Sequence, residues 1–263
     1  MKKTIASITV LLFLAIYGLN VYASDIYLDT GRADEGIVGI TYQAEEGMRY
    51  KVMISKGTEQ YYYDYFGSGT EYFPLQCGSG NYTVSVLENV TGTKYKVLRT
   101  ATIHVNLCSE TEVYLQSIQN IKWNSDMNAV FKASELTRKL TAEDEKVKAI
   151  YDYIVANIDY DYKKTDSLKA IYVPNVEDTF ETGKGICYDY SALFASMLRS
   201  QGIPAKLVKG YSENVDGYHA WNEVLINGKW VTIDTTYDAV MRCYGEATGF
   251  EKNKTEYQIA RIY

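Results

Sequence analysis

The sequence predicts an α+β protein in which a small all-β, sandwich-like domain precedes a domain where a cysteine-bearing helix packs on an antiparallel sheet. Two observations indicate this division. Residues 24–118 are rich in Tyr, Val, Thr and Gly and show little helical periodicity, whereas residues 119–263 alternate amphipathic helical segments with strands. A chain of 263 residues is long enough to bury a core in each part.

The start of the chain predicts export from the cell. Two lysines are followed by an apolar stretch at residues 5–17, and Val21-Tyr22-Ala23 places small residues where a signal peptidase would cut. The apolar stretch is shorter than the roughly 20 residues that a spanning helix needs. We therefore expect residues 1–23 to be a cleaved signal peptide, and the mature protein to be secreted or on the cell surface without membrane contact.

The N-terminal half contains short β-branched and aromatic runs that are separated by Gly and Asn. Strands at this spacing, with turn residues between them, predict a β-sandwich. The predicted strands cover residues 36–43, 49–55, 59–66, 70–76, 82–88, 94–105 and 111–117. No motif in this half carries chemistry.

Charge and cysteine content narrow the classes of function. The net charge is -6 and no basic patch is present, which argues against nucleic acid and anionic membrane as partners. The four cysteines form no CxxC pair and only two histidines exist, so we expect no structural zinc site. Cys77 and Cys108 could form a disulfide in an oxidising compartment or stay free thiols, and the sequence favours neither.

The periodicity becomes helical after residue 124. Helices are predicted over residues 127–138 and, from the apolar positions Val147, Ile150 and Ile154, over a second segment that ends near residue 157. A less regular stretch then leads into the glycine-rich residues before Cys187. The candidate chemistry begins at this point.

Cys187 is predicted to lie in the first turn of an amphipathic helix. The apolar positions that define this helix are Tyr190, Leu193, Phe194, Met197 and Leu198. Unpaired backbone N–H groups and the positive end of the helix dipole favour a thiolate, which is the better nucleophile. Gly183 and Gly185 are expected to leave room for a substrate above the sulfur.

A β-hairpin is predicted to join a histidine to a carboxylate. Asn227-Gly228 predicts a type I′ turn, and pairing Ile226 with Lys229 then places Asp234 opposite Trp221. His219 is two residues from Trp221 and so lies on the same face, within side-chain reach of Asp234. A slip of one residue in the register would put them on opposite faces.

The two faces of this hairpin predict where the cysteine helix docks. Val224, Ile226, Val231 and Ile233 lie on the face away from the polar pair and are expected to pack against core. Leu225, Trp221 and Trp230 lie on the polar face and are expected to receive the apolar side of the Cys187 helix. Docking there would bring the thiol to the imidazole.

Four segments carry a family resemblance: residues 183–193 (GKGICYDYSAL), 202–211 (GIPAKLVKGY), 219–224 (HAWNEV) and 230–236 (WVTIDTT). In this order they resemble the core blocks of the transglutaminase-like superfamily, over about residues 124–240. The resemblance implies a papain-like α+β core in which Cys187 is the nucleophile, His219 its base and Asp234 the residue that orients the histidine. Animal transglutaminases use calcium, but this chain shows no matching acidic loop, so we expect no metal and no cofactor.

The function expected on this basis is thiol-dependent acyl transfer or hydrolysis at amide bonds through a thioester intermediate, as in a transglutaminase-like acyltransferase or a cysteine peptidase. The substrate would be a protein or peptide, with cell-wall peptide as one candidate, and the sequence does not indicate an oligomeric state. The backbone N–H of Cys187 is one oxyanion donor. Tyr160 and Tyr172 could supply a second or could be packing residues, and Trp221 is a further candidate for contact with substrate.

Two other interpretations stay open. A cysteine on the apolar side of a helix and a histidine in a strand are, taken singly, more often packing residues. The chain could also be a non-catalytic binding protein at the cell surface that keeps the fold. The presence of all three residues together favours the enzyme.

Overall fold

The computed structural model describes residues 26–67, 69–168 and 171–263. The predicted signal peptide, residues 1–23, lies outside these ranges. No helix within them is long and apolar enough to cross a membrane.

The N-terminal part consists of two antiparallel sheets. Its strands are β1 (Tyr27–Asp29), β2 (Ile37–Thr41), β3 (Tyr50–Lys56), β4 (Glu59–Tyr65), β5 (Glu71–Pro74), β6 (Gly80–Thr91) and β7 (Lys94–Val105). One sheet has the order β1-β2-β5 and the other has the order β4-β3-β6-β7. Val38 and Ile40 from the first sheet share a buried cluster with Val52 and Ile54 from the second. The predicted β-sandwich is confirmed, because apolar residues at alternate positions face a common core.

The seventh predicted strand, residues 111–117, is wrong. A 3₁₀ turn at Glu112–Leu115 occupies it instead. Val113 and its neighbour Tyr114 are both buried, and a strand would have pointed one of the two outward. Both Cys77 and Cys108 are free thiols.

The C-terminal part combines helices with a second antiparallel sheet. Its helices are α1 (Asn128–Thr137), α2 (Glu143–Asn157), α3 (Tyr162–Asp166), α4 (Val176–Thr182), α5 (Cys187–Arg199) and α6 (Thr235–Cys243). Its strands are β8 (Asp159–Tyr160), β9 (Lys184–Gly185), β10 (Ala205–Ser212), β11 (Val215–Ile226), β12 (Lys229–Ile233) and β13 (Tyr257–Ile262). The main sheet has the order β12-β11-β10-β13, and β8 pairs with β9 in parallel. The predicted α+β class is confirmed.

Helix α5 is the centre of this part of the protein. Eleven of its 13 residues are buried, so the helix is surrounded by protein on nearly every side. Leu193, Phe194 and Met197 belong to one apolar cluster with Val224 and Ile233 of the β11–β12 hairpin. The sheet therefore supports α5 from one side, while α1, α2, α4 and α6 contact it from others.

The predicted docking face for α5 is wrong. The helix packs on the hairpin face that carries Val224 and Ile233, and not on the face of Trp221 and Trp230. Trp221 is covered instead by Val208 and Tyr257. Alternation along strands shows which residues share a face, but the partner of each face depends on where β10 and β13 add to the sheet.

Candidate active site

The β11–β12 hairpin has the predicted register. Ile226 pairs with Lys229, and the pairing continues without a shift to Asn222 opposite Ile233. Asn227 and Gly228 have φ angles of 50° and 78°, as a type I′ turn requires. This turn therefore sets which residues of the two strands meet, and it carries His219 and Asp234 towards each other.

His219 and Asp234 form a buried hydrogen-bonded pair. Nε2 of His219 lies 2.8 Å from Oδ2 of Asp234, and the two side chains are 3% and 0% exposed. Oδ1 of Asp234 accepts a hydrogen bond from the backbone N–H of Tyr237 at 3.0 Å, so this residue is also the N-cap of α6. A third hydrogen bond comes from the hydroxyl of Tyr257, which donates to Oδ2 at 3.1 Å. The carboxylate is thus fixed by a helix start and a strand, and it holds the imidazole in turn.

Trp221 lies against the histidine. Its ring is nearly parallel to the imidazole of His219, with centroids 6.2 Å apart and an interplanar angle of 24°. Trp221 is 1% exposed. The indole is therefore placed to restrict imidazole rotation, and its burial leaves little surface for direct contact with a substrate.

Cys187 is the first residue of α5, as predicted. The start of the helix is fixed by Asp189, whose Oδ2 accepts hydrogen bonds from the backbone N–H of Ile186 at 2.9 Å and from Nζ of Lys164 at 2.8 Å. Gly185 lies directly beneath this carboxylate: a Cβ there would be 2.7 Å from Cβ of Asp189. The prediction that Gly185 makes room for substrate is wrong, because the space is filled by the residue that caps the helix.

Substituting Gly185→Ala is expected to shift the start of α5. The new Cβ would also lie 3.2 Å from Cγ2 of Thr179, so the crowding should cost about 1–3 kcal/mol of stability and displace the Cys187 thiol. Chemical denaturation and the rate of Cys187 alkylation measure the two effects. Gly249→Ala is the matched control, since the nearest atom to its Cβ would be 3.5 Å away. An equal loss of stability in both variants would contradict the close packing of Gly185 against Asp189.

The Cys187 thiol acts on the imidazole of His219 through a side-chain hydrogen bond and its charge. Burial lowers the pKa of His219, but the charge and hydrogen bond of Asp234, together with those of Cys187, outweigh burial and raise this pKa from 6.5 to about 10. Because Nε2 binds Asp234, the other ring nitrogen, Nδ1, is left for the sulfur. The arrangement favours an imidazolium at neutral pH.

The pKa of His219 predicts a contribution to stability that depends on pH. Because the folded-state pKa is raised, the contribution is complete below about pH 6.5 and is lost as the pH rises through about 10. Between pH 7 and pH 10.5, the free energy of unfolding of the wild type should fall by about 4 kcal/mol more than that of His219→Gln. Urea titrations at both pH values measure this difference, and parallel pH profiles would contradict it.

The two tyrosine candidates occupy different surroundings. Tyr160 lies on β8 opposite Gly185. Burial raises the pKa of its hydroxyl; the hydrogen bond with Thr165 lowers this pKa, and the charge of Cys187 raises it further. The hydroxyl of Tyr172 instead donates to Oδ1 of Asp189. Tyr160 therefore stays a candidate for contact with a bound substrate, whereas the proton of Tyr172 is engaged in holding the helix cap.

An open groove extends from the histidine. It encloses about 340 Å³ and is lined by Tyr160, Tyr237, Val240 and Met241 next to His219, among other residues. Its walls are largely apolar and aromatic, which suits a peptide side chain. Within the described ranges, no group of three or more His, Cys, Asp or Glu side chains could hold a metal ion.

Sequence reasoning missed two residues that support the site. Asp189 follows Ile186 by three positions, and this spacing of an acidic residue is a known helix-start pattern that could have revealed it. Tyr257 is 23 residues from Asp234 and lies on β13, which reaches the site only by pairing with β10. No local pattern indicates that contact.

The chain is similar to one protein family and to several known proteins. Residues 131–235 match the family model of the transglutaminase-like superfamily. Over 116 residues the chain is 31% identical to "Kyphoscoliosis peptidase" of Mus musculus. The matched region covers 40% of this chain and 17% of that protein. Over 180 residues it is 29% identical to "Uncharacterized protein YebA" of Bacillus subtilis, covering 60% of this chain and 23% of that protein.

One solved structure is similar to this chain at a low score. The periplasmic domain of TgpA from Pseudomonas aeruginosa matches with a TM-score of 0.41 and 17% identity, over 83% of this chain and 96% of that one. The chain thus spans about a fifth of the two sequence relatives and most of this structural one. The matched family region contains the cysteine, the histidine and the aspartate described above. Residues 131–235 of this protein are a domain of the transglutaminase-like superfamily.

Proposed function

We propose that this protein is a thiol-dependent enzyme that cleaves or transfers the acyl group of an amide bond, with Cys187, His219 and Asp234 as its catalytic triad. One observation carries the proposal. The imidazole of His219 is held by a buried carboxylate at 2.8 Å, and the Cys187 thiol acts on the same ring through a hydrogen bond and its charge. A cysteine at a helix start, a base beside it and a group that orients the base are the parts of an activated nucleophile.

The reaction would proceed in two halves. The sulfur of Cys187 forms a bond to the carbonyl carbon, and the developing oxyanion is met by the backbone N–H of Cys187. His219 gives its proton to the leaving amine as the C–N bond breaks, which leaves a thioester. Water or a second amine then attacks the thioester, His219 takes the proton from that nucleophile, and the thiolate is released. Asp234 keeps the imidazole oriented in both halves.

The acceptor decides between two outcomes, hydrolysis with water and crosslinking with an amine. We propose a protein or peptide as the substrate, with cell-wall peptide as one candidate, because the groove beside His219 is open and lined by tyrosines and apolar side chains. An exported location follows from the predicted signal peptide and is part of the same proposal.

Alkylation by iodoacetamide tests the proposed nucleophile within one molecule. Cys243 is an exposed free thiol and serves as the internal control for ordinary reactivity. Near pH 6.5, Cys187 should react about tenfold or more faster than Cys243, although it is less exposed, because the imidazolium favours its thiolate. His219→Gln should remove this advantage. Equal reactivity of Cys187 and Cys243 in the wild type would sink the proposal and favour a non-catalytic binding protein.

Product analysis then separates hydrolysis from crosslinking. Cell-wall peptides and candidate proteins are incubated with the wild type or with Cys187→Ala, and the products are compared by mass spectrometry. We expect new cleaved or crosslinked species with the wild type and none with Cys187→Ala. Species that form equally with both proteins would contradict a role for this thiol.

A further inference from the structure

Lys209 lies beside the proposed nucleophile, although the mechanism above does not use it. On β10 it pairs with Ala220, the residue that follows His219. Its Nζ is 3.3 Å from the ring centroid of Tyr188, the residue that follows Cys187. The ammonium is therefore placed between the two chain segments that carry the thiol and the imidazole.

Within residues 26–67, 69–168 and 171–263, no carboxylate pairs with the ammonium of Lys209. Among the residues that the structure describes, none forms an ion pair or side-chain hydrogen bond with it. Two neighbouring lysines differ: Lys206 pairs with Glu223 at 3.0 Å and Lys164 pairs with Asp189 at 2.8 Å. Burial lowers the pKa of Lys209 to about 8, against the raising effect of Cys187. Among the described residues, Cys187 is the one anionic group that acts on this ammonium, so a second anion would further offset the cost of its burial.

A second cation lies opposite the first. Arg261 on β13 is the cross-strand partner of Lys209, so both side chains project from the same face of the sheet. The guanidinium is exposed, lies 5.4 Å from the ring of Tyr61 and donates only to the carbonyl of Ala260 within the described part of the chain. Like charges on directly opposed residues repel each other. An anion between them would turn this repulsion into two favourable contacts.

We propose that Lys209 and Arg261 bind a carboxylate of the acyl donor, close to the amide that Cys187 attacks. This inference rests on the proposed function and adds a substrate class to it: peptides that carry a negative charge beside the reacting amide. Lys209 supplies the partly desolvated contact and Arg261 the exposed one. Tyr188 holds the ammonium in place through a cation–π contact, which leaves its N–H groups available.

Two alkylating reagents that differ only in charge test this inference without a known substrate. Iodoacetate and iodoacetamide both form an S–C bond with loss of iodide, but only iodoacetate carries a carboxylate. The measured quantity is the ratio of their rate constants at Cys187, obtained at pH 7 by mass spectrometry. In Lys209→Met this ratio should fall by about tenfold, and in Arg261→Met by about threefold. Lys209→Arg should keep it within about twofold of the wild type.

The controls separate this inference from the proposed function. Lys94→Met removes an exposed charge in the β6–β7 hairpin and should leave the ratio unchanged. The iodoacetamide rate reports on folding and on the thiol itself, so a fault in either changes both rates and cancels in the ratio. If Lys209→Met keeps the wild-type ratio, Lys209 only packs on Tyr188 and the inference is overturned. If Cys187 is no faster than Cys243, the proposed function fails, and the ratio still shows whether the cations attract the anion.

An acidic side chain and a free chain terminus could both supply the carboxylate. Three short glutamine peptides distinguish them by how well each protects Cys187 from iodoacetamide: one followed by an aspartate amide, one by alanine with a free carboxylate, and one by alanine amide. Both charged peptides should protect better than the neutral one in the wild type, and the better of the two identifies the source. Equal protection by all three peptides would contradict the inference.

Discussion

Replacing Asp234 with Asn is expected to lower turnover by about 10³–10⁴-fold while leaving the protein folded. Asn keeps an oxygen that can cap α6 at the N–H of Tyr237, but it removes the negative charge 2.8 Å from Nε2 of His219. Without this charge the imidazolium is less stable, because burial then acts on the pKa of His219 with less opposition and lowers it. The neutral ring can also present the wrong tautomer to the sulfur.

The same substitution should be visible without a substrate. At pH 6, alkylation of Cys187 by iodoacetamide should slow by about tenfold or more in Asp234→Asn, because the imidazolium that favours the thiolate is less stable. Tyr257→Phe is the matched control, because it removes one hydrogen bond to the same Oδ2 but no charge. This variant should slow alkylation of Cys187 by about tenfold or less. Wild-type alkylation in a folded Asp234→Asn protein would show that Asp234 is only a helix cap.

Replacing Asp238 with Ala is expected to destabilise the protein by about 3–5 kcal/mol. This carboxylate is 2% exposed and lies one turn after Asp234 on α6. It accepts hydrogen bonds from Nζ of Lys252 at 2.5 Å and from the hydroxyl of Tyr151 at 2.8 Å. Its loss would leave the ammonium of Lys252 buried, with the carbonyl of Gly249 as its remaining hydrogen-bond acceptor among the described residues, and would remove the hydrogen bond that joins α6 to α2.

Urea denaturation measures this loss, and an exposed ion pair gives the comparison. Lys148 and Asp152 form an i,i+4 pair on α2 whose side chains are 49% and 57% exposed, and Asp152→Ala should cost about 0.5 kcal/mol or less. Because α6 carries Asp234 at its start, Asp238→Ala should also reduce alkylation of Cys187. A loss of stability as small as that of Asp152→Ala would mean that the buried cluster does not anchor α6.

Local sequence was sufficient wherever a short-range rule fixed the geometry. The Asn227-Gly228 turn set the hairpin register, since positive φ at both positions leaves one two-residue connection that suits twisted strands. Periodicity placed Cys187 at the start of α5, and the distance along two paired strands brought His219 to Asp234. The α+β class followed from the change in periodicity after the first half.

Contacts that join distant segments were decided only by the tertiary structure. The face of the hairpin that receives α5 depends on how β10 and β13 complete the sheet, and no period within the hairpin encodes that choice. The same holds for Tyr257 on Asp234 and for Arg261 beside Lys209, both brought in by β13. The sequence by itself determined which residues could do the chemistry, because turn geometry, helical periodicity and strand alternation act over a few residues. Folding determined which groups surround those residues and how their pKa values shift, because burial and long-range pairing depend on the whole chain.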